Sequence, residues 1–498
     1  MNPDAGSTWN DDAPPAAGFP ASRDRFPLVL PRWPEAAPAG PDFAAIRAEH
    51  DVPESFPADV LAEAERVAAA LPLPDEDATA LPLVTVDPPG SRDLDQAVHL
   101  AREDGGYVVR YAIADVGSVV PPGSALDAEA RRRGQTLYSP DRRTPLHPPV
   151  LSEGAASLLP GQDRPAALWT VRLDADGEVR GVDLRRARVR SRAQLAYPGV
   201  QAQADAGTLP DPIALLPEVG RLLERRAADR GAVELGTPEQ QVVRGPDGGW
   251  TLVARADLPV EGWNAQVSLL TGRVAARLML DGGVGVLRTL PPARPEDVER
   301  LRRLAPALGV RWPDGAGPGE VLAGLHVADP RHAAFLEEAA ALLRGAAYTP
   351  FDGAPPGQTG HAGVGAPYAH VTAPLRRLVD RFATEVCLAL AAGREPDPAV
   401  RAALPELPGL MAASDRRTRA VERAAVDATE AWLLAGREGA LFDAVVVDAD
   451  GDRGTVVLAE PAIRARCTGT GPAAGSRVRV RLTEADVARR SVRFEVAA

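Results

Sequence analysis

Apolar residues along this chain change their spacing repeatedly, and the changes divide it into elements. Phe56 to Leu71 (FPADVLAEAERVAAAL) places Ala, Leu and Glu at helical intervals behind Pro57, which predicts a helix. Val84, Thr85 and Val86 form a β-branched run that Pro88, Pro89 and Gly90 must end. Tyr107 to Val120 alternates, Ala125 to Arg133 returns to helical spacing, and Leu168 to Arg192 holds two strand-like runs joined by a hairpin-type turn at Asp174 to Gly177. Further on, Gln266 to Leu280, Pro295 to Leu308, His332 to Leu343, Leu375 to Ala391 and Arg416 to Leu434 carry apolar residues three and four apart, the pattern of helices that cover a sheet. After Gly436 the runs become short and β-rich: Phe442 to Val447, Gly454 to Leu458, Arg477 to Leu482 and Ser491 to Val496. The fold class is therefore α+β, a mixed sheet covered by helices followed by a small OB-type β-barrel.

The stretch with most chemistry is LVTVDPPGSRDLDQAV, Leu83 to Val98. If Arg92 to Val98 is extended, Asp93 and Asp95 point to one face and Leu94 to the other, and Asp87 can return to that face across the turn. Three converging carboxylates repel one another unless a cation neutralises them, and such hard oxygen ligands suit Mg²⁺ or Mn²⁺. An ordinary turn flanked by solvated aspartates has the same spacing, so spacing alone does not decide.

Composition narrows the classes. A length of 498 residues with 45% hydrophobic residues supports about three globular domains. A net charge of −12 excludes a protein that coats nucleic acid indiscriminately, although all 56 basic residues are arginine, whose planar fork matches phosphate oxygens. Arg180, Arg185, Arg186, Arg188, Arg190 and Arg192 alternate along one strand and would line either a solvated outer face or an RNA track. Cys387 and Cys467 offer neither a zinc spacing nor a disulfide framework, which fits a reducing cytoplasm. With no apolar leader and no run of membrane-spanning length, a soluble, unexported protein is expected. Residues 1–40, rich in Pro, Ala, Asp and Gly, read as a disordered lead.

From about Ile46 onward the chain resembles the ribonuclease II family of processive exoribonucleases, which have an RNB catalytic domain. The resemblance rests on ordered segments: LPLVTVDPPGSRDLDQAV at 81–98, YAIADV at 111–116, PGSALDAEARRRGQTLY at 122–138, VLSEGAASLLPGQDRPA at 150–166, GAVELGTPE at 231–239 and PYAHVTAPLRRLVDR at 367–381. It implies a helical segment over 41–80, an RNB domain over 81–436 and an S1-like barrel over 437–498. The implied activity is Mg²⁺-dependent 3′ to 5′ hydrolysis of single-stranded RNA to nucleoside 5′-monophosphates, by a cytoplasmic monomer with no DNA or membrane partner.

By the same resemblance Asp87, Asp93 and Asp95 fall on three of the family's four catalytic aspartates and on its metal site, while the fourth position is Gln96. An amide oxygen is a weaker ligand than a carboxylate. Two readings follow, an active enzyme in which Gln96 or water takes that place, or a catalytically impaired RNA-binding protein. A carboxylate hydrolase of another substrate is a third, disfavoured by the arginine-bearing segment. Arg376 maps to the arginine on the scissile phosphate, and Arg377 is a second candidate whose other role is an ion pair with Asp380. Tyr138 and Tyr197 match aromatic positions along the RNA, Glu422 matches a glutamate near its path, and His361 and His370 are expected to be structural. NAQVSLLTGRVAAR, Asn264 to Arg277, lacks the paired acids of the family's helix, and since only about forty poorly patterned residues precede the match, the family's usual pair of cold-shock domains is expected to be lacking. The grip on RNA would then fall to the channel and the terminal barrel.

Overall fold

The computed structural model describes residues 40–497 except 237–238, 246–247, 327–328, 459, 470 and 472. The lead expected over residues 1–40 thus lies, but for its last residue, outside the described residues. Two helices come first, α1 (Phe43–Glu49) and α2 (Ala58–Ala69), followed by the short strand β1 (Thr85–Asp87). Then follow β2 (Gln96–Glu103), β3 (Gly106–Ala114), α3 (Ala125–Arg133), β4 (Leu137–Ser139), β5 (Arg142–Thr144), β6 (Asp163–Leu173), β7 (Val179–Arg190) and β8 (Gln194–Ala196).

Strands β2, β3, β6 and β7 pair in that order as an antiparallel sheet. The run YVVRYAIA supplies β3, which is buried almost throughout because elements pack on both of its faces. On one face Val109, Tyr111, Ile113, Trp169 and Val171 join the main core. On the other, Ala112, Ala114, Leu168 and Val189 meet Val60 and Ala64 of α2. Strand β7 is an edge, and its arginines are matched by acids. Arg180 pairs with Asp174, Arg185 with Glu76 and Asp183, Arg186 with Asp115 and Glu385, Arg188 with Asp77, and Arg190 with Asp163. Arg192 donates to the Thr79 carbonyl at 2.8 Å. Of the two roles open to this row, the ion-paired edge face is the one its contacts fill.

The second half supplies α4 (Tyr197–Ala206), α5 (Leu216–Asp229), β9 (Glu239–Arg244), β10 (Trp250–Arg255), α6 (Pro259–Gly282), β11 (Val284–Thr289), α7 (Pro295–Leu304), α8 (Pro318–Ala323), α9 (Pro330–Ala339), β12 (Ala347–Asp352), β13 (Gly360–His361) and β14 (Ala366–Pro367). It ends in α10 (Leu378–Ala391), α11 (Pro398–Ala403) and α12 (Leu407–Leu434). Helix α6 starts seven residues before the expected Gln266, because Val260 and Trp263 continue its buried apolar period towards the N-terminus. Pro259 occupies its first turn and Glu261 accepts the Leu258 N–H at 2.7 Å, so capping and the burial of Val260 together set that end.

Helix α3 ends at Gly134, whose φ of 76° is left-handed and whose missing Cβ would stand 2.5 Å from the Ser414 Cβ of α12. Only glycine allows this close approach. Strands β15 (Leu441–Asp450), β16 (Arg453–Leu458), β17 (Arg464–Thr468), β18 (Arg477–Asp486) and β19 (Ser491–Val496) close a barrel in the order β15-β16-β17-β19-β18. Val446, Val456, Leu458, Val480, Leu482 and Phe494 fill it. Strand β17, RARCT, is missed by hydrophobic runs because only Ala465 and Cys467 face inward between arginines and threonine. Buried Glu430 of α12 ties helix to barrel, accepting from the Arg464 N–H at 2.9 Å and from Gln240 Nε2 at 2.7 Å.

Candidate active site

The acids lie where β1 ends and β2 begins. β1 runs parallel to β8, with Asp87 opposite Ala196, and this pairing fixes where Asp87 leaves the sheet. One of its carboxylate oxygens, Oδ2, is buried with no hydrogen-bond partner, and burial raises the carboxyl pKa to about 6. Asp95 is buried further, which raises its pKa to about 8 against the opposing pull of Arg376. Its Oδ1 accepts the Leu375 N–H at 2.7 Å, and its Oδ2 stands 3.4 Å from Arg376 Nε.

Residues 91–95 do not extend β2 as alternation predicts. Ser157 is the reason: its Oγ accepts the Leu94 N–H at 2.9 Å and donates to the Arg92 carbonyl at 2.6 Å, while the Leu158 N–H binds the Leu94 carbonyl at 3.0 Å. These bonds draw the segment sideways, off the ladder. Asp93 consequently faces the β4–β5 hairpin, where Arg143 pairs with it and the Tyr138 hydroxyl donates at 3.4 Å, whereas Asp95 faces the loop before α10. Arg143 also binds Glu153 at 2.5 Å.

Gln96 is the first residue of β2 and both ends of its amide are engaged. Nε2 donates to the Thr372 carbonyl at 2.5 Å, and Oε1 accepts from the Tyr111 hydroxyl at 2.9 Å. Tyr111 in turn shares a hydrogen bond of 2.7 Å with Ser268 of α6.

The two arginines of LRRLVD have different surroundings. Arg376 is half-exposed beside Asp95, while Arg377 forms two bonds to Asp380, at 2.5 and 2.8 Å. Asp380 also accepts the Ala373 N–H at 2.7 Å, so this ion pair secures the loop that presents Arg376. Main chain brings Tyr138's segment alongside: the Thr136 N–H binds the Arg376 carbonyl at 2.9 Å, and the Leu378 N–H binds the Gly134 carbonyl at 3.0 Å. Tyr138 is 48% exposed, free to present a ring face.

Tyr197 opens α4, and its hydroxyl accepts from Asn264 Nδ2 at 3.2 Å. Glu422 is exposed on α12. Among the described residues Arg416, Arg417, Arg419 and Arg423, on the same helix, make no ion pair within 4.0 Å, in contrast to the matched arginines of β7. His370 is buried and shares a hydrogen bond of 2.8 Å with Tyr348, with its pKa held well below the usual value by burial. His361 is lowered to about 4, again chiefly by burial. Both are neutral structural groups at pH 7.

The donor chemistry fits a hard divalent cation, given carboxylates whose burial disfavours charge and an orphaned Asp87 oxygen. Among the described residues, no three His, Cys, Asp or Glu side chains are closed into a ligand set. Asp93 has Arg143 as its counter-charge and would exchange that guanidinium for an ion. Arg143, Ser157 and Thr372 are missed by sequence reading. Arg143 sits in DRRTPL, one strand turn from Tyr138, and Ser157 lies inside a matched motif, but neither reveals its partner in the sequence.

An RNB domain profile matches residues 75–389, and a profile for the RNase II-type exonuclease C-terminal S1 domain matches 440–497. Ribonuclease R of Aquifex aeolicus is 26% identical over 420 residues, which cover 80% of this chain and 59% of that protein. Exosome complex exonuclease RRP44 homolog A of Arabidopsis thaliana is 27% identical over 382 residues, 72% of this chain and 40% of that one. This chain thus spans less than two thirds of these curated relatives. In fold, it matches the apo form of Mycoplasma genitalium RNase R with a TM-score of 0.81 at 19% identity, over 91% of this chain and 77% of that chain. It matches yeast Ssd1, a pseudonuclease, with a TM-score of 0.67 at 16% identity, over 84% and 53%.

Proposed function

The chain belongs to the RNB family of ribonuclease II-type exoribonucleases, and from that membership we propose that it hydrolyses single-stranded RNA from the 3′ end to nucleoside 5′-monophosphates, using Mg²⁺ or Mn²⁺. The observation that carries this reading is the meeting of Asp87, Asp93 and Asp95 with Arg376 at the end of β1, beside exposed Tyr138. Asp87, Asp93 and Asp95 would hold the cation. Once bound, it would supply Lewis acidity to the phosphodiester and to the attacking water.

Each side chain has a task in that reaction. The Leu375 N–H and Arg376 hold the Asp95 carboxylate in one orientation, which limits the reorganisation needed when charge develops. Arg376 is exposed enough to turn its fork to a phosphate, and Arg377 positions it through Asp380. Tyr138, and further off Tyr197, would stack on bases without reading their identity. The unmatched arginines of α12 would follow the backbone phosphates, with Glu422 beside them. We read residues 41–80 as a helical preface, 81–436 as the catalytic domain and 437–498 as an S1-like barrel. We also read the protein as a cytoplasmic monomer acting on RNA rather than DNA; Cys387 and Cys467 are both buried and free, which suits a reducing compartment. Among the described residues no helix is long and apolar enough to cross a membrane.

A second reading, a catalytically impaired RNA-binding protein, is favoured by one observation. Gln96 stands where the family resemblance expects a fourth carboxylate, and its amide is engaged at both ends by protein. Incubation of 5′-labelled single-stranded RNA with the protein separates the two. Stepwise shortening with Mg²⁺ or Mn²⁺ that stops in chelator is the result expected of the enzyme. Tight binding with no metal-dependent shortening would establish the second reading.

A further inference from the structure

Helix α6 serves the carboxylate site with one face and something else with another. Asn264 and Ser268 reach Tyr197 and Tyr111, whereas Arg273, five residues past Ser268, projects about 140° round the helix. There it lines a cleft with Arg230, from the turn after α5, together with Leu223, Ala227, Leu270 and Gly363. Arg230 Nε is buried and has no hydrogen-bond partner. No acid offsets Arg273: burial first, then Arg230 and Arg226, lower its pKa to about 10.

None of the nearby acids forms an ion pair with Arg230 or Arg273 among the described residues. Arg226 is matched by Glu178 and Asp229. Glu234 lines the same cleft, but its carboxylate takes the amide of Gln266 at 3.2 Å. Asp229 acts on Arg230 only through its field, without an ion pair. Gly365, at φ +67°, packs against the main chain of Arg230, where a Cβ would lie 2.9 Å from the carbonyl oxygen.

Half-buried guanidinium groups that repel one another and make no ion pair are costly, and two planar forks lining one opening match the oxygens of a phosphate. We propose that Arg230 and Arg273 form a binding site for a phosphate group, separate from the carboxylate centre. The group could come from free phosphate or from the backbone of a bound RNA. The site itself does not depend on RNA hydrolysis.

The test compares the full chain with Arg273→Met and Arg273→Lys, all in chelator. In potassium phosphate, against potassium chloride of equal ionic strength, the parent should show a saturable rise in Tm that Arg273→Met lacks and Arg273→Lys keeps only in part. Without phosphate, Arg273→Met should melt no lower than the parent, since an unmatched charge has been removed. If the occupant is instead an RNA phosphate, the free-phosphate shift is absent, and Arg273→Met lowers the slope of log affinity for single-stranded RNA against log salt by about 0.7. Should Arg273→Met fail to fold, Arg230→Gln carries the same comparison. No phosphate-specific shift together with an unchanged RNA salt slope overturns the proposal, whether or not the protein cuts RNA.

Discussion

Gln96 Nε2 donates to the carbonyl of Thr372 at 2.5 Å, so the side chain at the expected place of a fourth carboxylate is a strut between β2 and the loop that carries Leu375 and Arg376. A carboxylate there has no proton to give. Gln96→Asp should therefore lose about 1–3 kcal/mol of stability in denaturant unfolding, because it leaves the Thr372 carbonyl unpaired and facing negative charge. A large gain in Mg²⁺ affinity by calorimetry, at unchanged stability, would show instead that this side chain belongs among the metal ligands.

Asp95→Asn keeps an oxygen for the Leu375 N–H while removing the charge. Folding and RNA binding should stay near those of the parent, and hydrolysis should fall roughly 100-fold or more, the scale of losing one preorganised electrostatic group. Single-turnover kinetics with saturating RNA would measure the drop, and a rate near the parent's would remove Asp95 from the reaction.

Tyr138→Ala is expected to weaken single-stranded RNA binding by about 1–3 kcal/mol, one base stack. Its ring is half outside the protein, so melting should barely move. Equal affinity in filter binding would return Tyr138 to an ordinary surface role.

Glu430 governs a pH dependence at the junction of α12 and the barrel. Burial raises its folded-state pKa to about 7 from the ordinary 4.5, so its contribution to stability is complete below about pH 4.5 and is lost as pH rises through 7. Glu430→Gln retains an oxygen for the Arg464 N–H and Gln240 and cannot ionise. The variant should melt with a flatter pH profile between 5 and 8. The same slope in parent and variant would assign the titration to another group.

What was legible from sequence was what repeats locally. The span of α3, the hairpin between β6 and β7, and the clustering of Asp87, Asp93 and Asp95 all follow from period or spacing. What depends on remote chain did not appear. Ser157 holds residues 92–94 off the β2 ladder, Arg143 arrives from a hairpin fifty residues on, and Thr372 claims the amide of Gln96 across 276 positions. The arginines of β7 were legible as a row but not as a matched one, since Asp115 and Glu385 come from other elements.

Residues 134–136 and 376–378 are joined by main-chain hydrogen bonds, and main chain has no rotamers to choose among. Tyr138 and Arg376 hang from the two sides of that ladder. The distance between the place where a base would be held and the place where a phosphate would be met is thus a fixed gauge, built into the backbone. A strand advanced by one nucleotide would find the same gauge again, whatever its sequence.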